Sequence, residues 1–272
     1  VTADKNIYSY FVDLAGEKVK LLVNEEPSEN GAREIIVEPL DGESNLRYFD
    51  WLEKNRRYVD QVSDGRIGYI YLPDTYLGSA TDFPRYFYSQ TKKQGLIIDG
   101  RFNGGGLDPE IFLQRLLEKP YAYWTRRYSK DQPIPFLAVR AHMACLTNRY
   151  AGSGGDMLPY EFKLKEMGPV IGTRTWGGLV GVSMFLELMD GSGLTAPDYR
   201  IYNPKGEWVV ENVGVEPDII IEQNSLELSE GKDTQLIKAV EVLMEKIREE
   251  PFTMPEHEPF PVDQSRSEER IR

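Results

Sequence analysis

The sequence predicts an α/β protein with a largely parallel sheet flanked by helices. Two observations carry that prediction. From Gly65 onward, short apolar runs alternate with segments of helical spacing, which implies strands joined by covering helices. Twice, after Asp99 and after Leu146, an apolar run ends in a Gly-rich turn that leads into a helical segment.

The elements follow in order. Residues 8–14, 18–23 and 34–39 read as strands joined by Gly-containing turns. Three strands are a poor core, so the chain is expected to begin partway through a small β-domain covering 1–42. Residues 44–61 place Leu46, Phe49, Leu52 and Tyr58 at helical spacing among charges, a connecting helix within 43–64. The α/β domain spans 65–249. Strands are expected at 67–72, 96–99, 136–146 and 170–172, and helices at 82–93, 108–118, 157–167 and 234–248. A hairpin over 184–189 and 193–197 turns at Asp190-Gly191. Residues 250–272 are rich in proline and charge and read as an arm or tail.

Composition narrows the function. A chain of 272 residues with net charge −12 lacks the basic footprint of a nucleic-acid or anionic-membrane binder. No apolar run approaches the roughly 20 residues of a membrane span. Cys145 is the single cysteine and sits in an apolar run, so it reads as a buried, inert thiol. It fixes no compartment; a cytoplasmic location is expected and a periplasmic one stays open. No His/Cys/Asp cluster has metal-ligand spacing, and neither phosphate-loop pattern is present, so no metal or cofactor is expected.

Two turns carry chemistry. In Tyr150-Ala-Gly-Ser153-Gly-Gly-Asp156, a serine sits where a strand meets a helix. Such a turn aims a hydroxyl outward beside backbone N–H groups that can hold an oxyanion. A helix N-cap serine fits the same pattern. Asn103-Gly104-Gly105-Gly106, also between strand and helix, fits either anion-binding N–H groups or a tight turn. Glu211 lies in a β-like run, where it would orient a base or simply face solvent.

A nucleophilic serine needs a base, and the two histidines are poorly placed. His142 lies eleven positions before Ser153 in the same strand, and His257 lies in the tail. Lys163 and Lys165 share a helix with Glu161 and Glu166, a solvated face.

The ordered set of Gly65-Arg-Ile-Gly-Tyr-Ile, Leu96-Ile-Ile-Asp-Gly-Arg-Phe-Asn-Gly-Gly-Gly106, Ala151-Gly-Ser-Gly-Gly-Asp156, Ile171-Gly-Thr-Arg-Thr-Trp-Gly-Gly178 and Val210-Glu-Asn-Val-Gly-Val-Glu-Pro-Asp218 resembles the C-terminal half of tricorn-type serine proteases, relatives of the C-terminal processing peptidases. The resemblance implies a crotonase/ClpP-like catalytic domain preceded by the end of a PDZ-like domain. It implies Ser153 as nucleophile, an oxyanion hole from the N–H of Gly154 with Gly105 or Gly106, and Glu211 as distal acid of a Ser–His–Ser–Glu tetrad. The family often has Asp where this chain has Gly154. The processing peptidases use a Ser–Lys dyad, and matching the segments puts Gly178 at the lysine position. The tricorn histidine lies upstream of the PDZ-like domain, so the base is expected from a segment missing here, leaving this piece nearly inactive alone. Peptide substrates and a closed homo-oligomer are also implied. A non-catalytic member of the fold that binds peptides or apolar ligands is the alternative.

Overall fold

The structure, a computed structural model, describes residues 4–183 and 185–260, so Met184 of the expected hairpin and the tail beyond 260 lie outside the described residues. The chain divides into two compact units after Asn55.

In the first unit, β1 (Val19–Val23) pairs antiparallel with β2 (Arg33–Val37), Val19 opposite Val37. The strand expected over 8–14 is a 3₁₀ turn at Ile7–Tyr10 instead. Asn6 starts it by accepting the Tyr8 N–H on Oδ1, a local bond that competes with pairing. Helix α1 (Ser44–Val62) follows.

The second unit is built on β3 (Ile67–Tyr71), β4 (Gly95–Asp99), β7 (His142–Thr147), β8 (Val170–Gly172) and β11 (Ile219–Ile220). They form a five-stranded parallel sheet in the order β11-β8-β7-β4-β3. The crossovers run through α2 (Leu77–Tyr88), α3 (Glu110–Leu117) and α4 (Gly154–Leu164). Because the strand order never reverses, crossovers of one hand lay their helices on one face. Phe83 and Phe87 of α2, Phe112, Leu113 and Leu116 of α3, and Leu158 and Phe162 of α4 form one core with Ile70, Ile98 and Cys145. The amphipathic α6 (Thr234–Glu249) packs on β3, β4, β7 and β8, burying Leu236, Ala239, Leu243 and Ile247. Strands covered on both sides read as continuous apolar runs, as these do.

Several boundaries differ from expectation. Helix α2 starts five residues earlier than its spacing indicated, because Asp74 takes the N–H groups of Tyr76, Gly78 and Ser79 on its carboxylate. Strand β7 begins only at His142, since residues 136–141 form a turn and an extended approach. An antiparallel hairpin of β5 (Ala122–Arg126) and β6 (Ser129–Ile134) had no glycine turn to announce it. The hairpin of β9 (Phe185–Glu187) and β10 (Gly193–Thr195) is shorter than expected, and α5 (Ser225–Ser229) is a single capped turn. The described part of the tail lies along the chain's own hairpin: Thr125 meets His257 at 3.3 Å, and Arg127 lies 4.8 Å from the Phe260 ring centre.

A buried ion-pair network closes the sheet's C-terminal edge. Arg101 donates to Asp99 and Asp233, and the Tyr69 hydroxyl donates to Asp99 at 2.7 Å. Burial by itself would lower the guanidinium's pKa; the two carboxylates overrule it and hold it well above its ordinary value. Cys145 is fully buried, and burial, with Asp99 and Asp218, pushes its thiol up, so it is an inert core residue.

Candidate active site

Parallel strands deliver their C-terminal ends to one edge, and the loops after β3, β4, β7 and β8 gather there. Ser153 lies in the loop after β7 with φ 55° and ψ −120°, a conformation that L-residues rarely adopt. Its N–H donates to Gly178 O at 2.8 Å, and its C=O accepts from Asp156 and Met157. Ser153 occupies the N-cap position of α4, but its side chain makes no capping hydrogen bond.

The close approach explains the glycines. A Cβ on Gly105 would sit 2.6 Å from the Ser153 Cβ and 3.0 Å from the Gly154 nitrogen. Gly105 and Gly106 both have positive φ, at 83° and 137°. The Gly105 N–H is already committed, donating to Asn103 Oδ1 at 2.8 Å. The N–H groups of Gly106 and Gly154 have no acceptor among the described residues. Gly154 also fits under Thr75: a Cβ there would overlap Thr75 Oγ1 and lie 2.6 Å from Leu107 O. The family's aspartate has no room at that position in this chain.

Glu211 is not in a strand. It sits in a turn between Val210 (φ 68°) and Asn212 (φ 63°), because its Oε2 accepts the N–H groups of Leu179 at 2.5 Å and Val180 at 2.8 Å. Those long-range bonds override the β-propensity of Trp208-Val-Val. Glu211 thereby braces the loop whose Gly178 carbonyl receives the Ser153 N–H.

The other bases stay apart from Ser153. His142 pairs with Gly95 at the opposite end of β7, roughly 16 Å of strand from its C-terminus at ~3.3 Å per residue. Its Nε2 lies 2.9 Å from Glu250 O. Lys163 is paired with Asp218 at 2.8 Å and Lys165 with Glu161 at 3.6 Å. A Cβ on Gly178 would meet two ring carbons of Trp176 at 2.6 Å, so the indole fills the direction a lysine there would take.

Four side chains to which the sequence assigned no role hold the site. Trp176 is 66% exposed and lies against Gly152 and Gly178. Asn103 and Asp156 are fully buried, and Thr75 is nearly so. Asp156 accepts the Gly177 N–H at 2.8 Å. Burial raises its pKa, against the Thr175 hydroxyl and the surrounding N–H groups. An Asp in the first turn of a helix, next to two glycines, was the available signal.

Glu161 on α4 hydrogen-bonds Asp108, which follows the glycine loop; burial first, then Asp108, push Glu161 up to about 7, while Lys165 opposes them. The folded state therefore holds a proton that the unfolded chain releases. The stability this contributes is complete below the ordinary value of 4.5 and is lost as pH rises through about 7. Glu161→Gln keeps a donor toward Asp108 and removes the ionisation. Its urea midpoint should fall less than the parent's between pH 5 and 8; parallel profiles would refute the assignment.

Among the described residues, no group of His, Cys, Asp or Glu is arranged to hold a metal ion, and no helix is long and apolar enough to cross a membrane.

The chain is similar to known proteins. The tricorn protease of Thermoplasma acidophilum is 38% identical over 248 residues, 91% of this chain and 23% of that protein. The tricorn protease of Thermoplasma volcanium is 36% identical over 251 residues, 92% of this chain and 24% of that protein. The crystal structure of the tricorn protease matches with a TM-score of 0.83 at 37% identity, covering 91% of this chain and 24% of that one. This chain thus spans about a quarter of the length of these relatives. The Peptidase family S41 model matches residues 66–221, which include both glycine turns, Ser153 and Glu211, and the chain belongs to that family.

Proposed function

We propose that this chain carries the nucleophile and oxyanion half of a serine peptidase site that cleaves peptides through an acyl-enzyme on Ser153. The observation that carries the reading is a strained serine whose side chain makes no capping bond, beside two N–H groups without acceptors, those of Gly154 and Gly106, where Gly105 lies so near that a Cβ on it would sit 2.6 Å from the Ser153 Cβ. Ser153 Oγ attacks the peptide carbonyl and gives its proton to a base, and the N–H groups hold the oxyanion. The base then protonates the leaving amine, and water hydrolyses the ester. Each oxyanion donor in such a hole contributes about 3 kcal/mol to transition-state stabilisation.

The base is a histidine from another segment or another copy, since His142 and His257 are engaged elsewhere. Glu211 acts as the distal acid, and its Oε1 is the oxygen left for that role once Oε2 has taken the Leu179 and Val180 N–H groups. The first unit is read as the end of a PDZ-like domain, and the whole as part of a homo-oligomer, on resemblance to the tricorn proteases.

A fluorophosphonate probe applied to the full-length protein tests this. Labelling should map to Ser153 and vanish in Ser153→Ala. An unlabelled, folded protein would favour a non-catalytic peptide-binding role.

A further inference from the structure

We propose that Asn103 is the positioning residue that selects Gly106 over Gly105 as oxyanion donor and locks that donor to the serine turn, an inference that rests on the acyl-transfer reading above. Asn103 has no exposed surface. Its Nδ2 donates to Leu72 O, just past β3, at 2.8 Å, and its Oδ1 accepts the Gly105 N–H at 2.8 Å. Its main-chain oxygen accepts the Gly152 N–H at 3.1 Å, one residue before the nucleophile. On the other side of Ser153, a Cβ on Gly155 would lie 2.9 Å from Asn103 Cβ. The side chain therefore ties the end of β3 to its own glycine loop, while the main-chain oxygen of the same residue holds the loop to Gly152 beside the serine.

The selection follows from satisfying donors. Consecutive glycines offer consecutive N–H groups, and a buried N–H keeps an acceptor wherever one is in reach. Asn103 takes the first of the pair. Thr75 fixes the next stretch in the opposite sense: its N–H donates to Gly105 O and its C=O accepts from Leu107, bracketing Gly106 and leaving that residue's own N–H unpaired. An amide is the side chain that supplies both the donor for Leu72 and the acceptor for Gly105. A carboxylate lacks the donor and alanine lacks both.

A merely structural asparagine would lower stability and leave the chemistry of the folded fraction untouched. The test measures amide hydrogen exchange by NMR and the fluorophosphonate labelling rate on the full-length protein. The variants are Asn103→Ala, Asn103→Asp and Leu243→Ala, the last a buried residue beside Gly95 at the other end of β4. In the parent, the Gly105 amide should be protected and the Gly106 amide unprotected; Asn103→Ala should expose Gly105. Labelling of folded Asn103→Ala should fall at least tenfold, with Leu243→Ala within twofold of the parent.

Asn103→Asp adds a readout that packing alone would not move. Its protonated carboxyl again offers one donor and one acceptor, so its labelling relative to the parent should recover as pH is lowered from 8 to 5. Equal rates for Asn103→Ala and Leu243→Ala, a flat ratio for Asn103→Asp, or a Gly106 amide as protected as Gly105 would each overturn the proposal. A parent that never labels overturns the acyl-transfer reading instead, and the exchange pattern then decides by itself whether Asn103 commits Gly105.

Discussion

Gly154→Ala should slow fluorophosphonate labelling of Ser153 by about 10²–10³-fold, the loss expected when one oxyanion donor is misplaced. The added Cβ overlaps Thr75 Oγ1 and comes within 2.6 Å of Leu107 O. Neither neighbour can yield easily: Thr75 is 1% exposed, and its hydroxyl donates to that same Leu107 oxygen at 2.5 Å. The turn must therefore move away from the glycine loop, taking the Gly154 N–H with it. Overpacking of this kind costs about 1–3 kcal/mol, which leaves most domains folded at 25 °C. Gly104→Ala is the internal comparison, because nothing lies within 4 Å of a Cβ there. It should label at nearly the parental rate. A Gly154→Ala rate within threefold of the parent would show that this N–H is not part of the hole.

The second large effect is on stability. Arg101→Met should lower the unfolding free energy by roughly 3–5 kcal/mol, the cost of leaving a buried partner charge uncompensated. The Arg101 side chain is 4% exposed and that of Asp99 is 0% exposed, so water cannot replace the guanidinium. Asp233, the N-cap of α6, loses the same partner, and the helix covering the second face of the sheet is loosened with it. Methionine fills part of the volume and isolates the electrostatic part of the loss. Urea unfolding followed by circular dichroism reads the change, and a shift below about 1 kcal/mol would mean the network is solvated.

These two residues also mark what could be read in advance. The alternation of apolar runs and helical segments from Gly65 onward was legible because each run is local and its period shows within a few residues. The same held for the serine turn, where glycines flank one hydroxyl between a strand and a helix. The family resemblance added expected roles for two features already visible, the glycine loop as oxyanion donor and Glu211 as distal acid. Helix α2 was placed five residues late because its start depends on Asp74, a cap that outweighed the apolar spacing further on.

The amino-acid sequence by itself determined that the chain would build a parallel α/β sheet with one serine presented at a strand end, and that neither histidine would sit beside it. Periodicity, glycine placement and chain distance are properties of neighbouring residues, and they need no fold to be stated. Only the tertiary structure decided that Gly105 is committed to Asn103 while Gly106 stays free, that Trp176 fills the direction open at Gly178, and that Glu211 braces a loop from within a turn. The bonds that settle Glu211 join residues 31 and 32 positions apart, and the Arg101–Asp233 pair spans 132. Contacts of that separation are fixed by how the strand ends converge on one edge of the sheet, which no local pattern encodes.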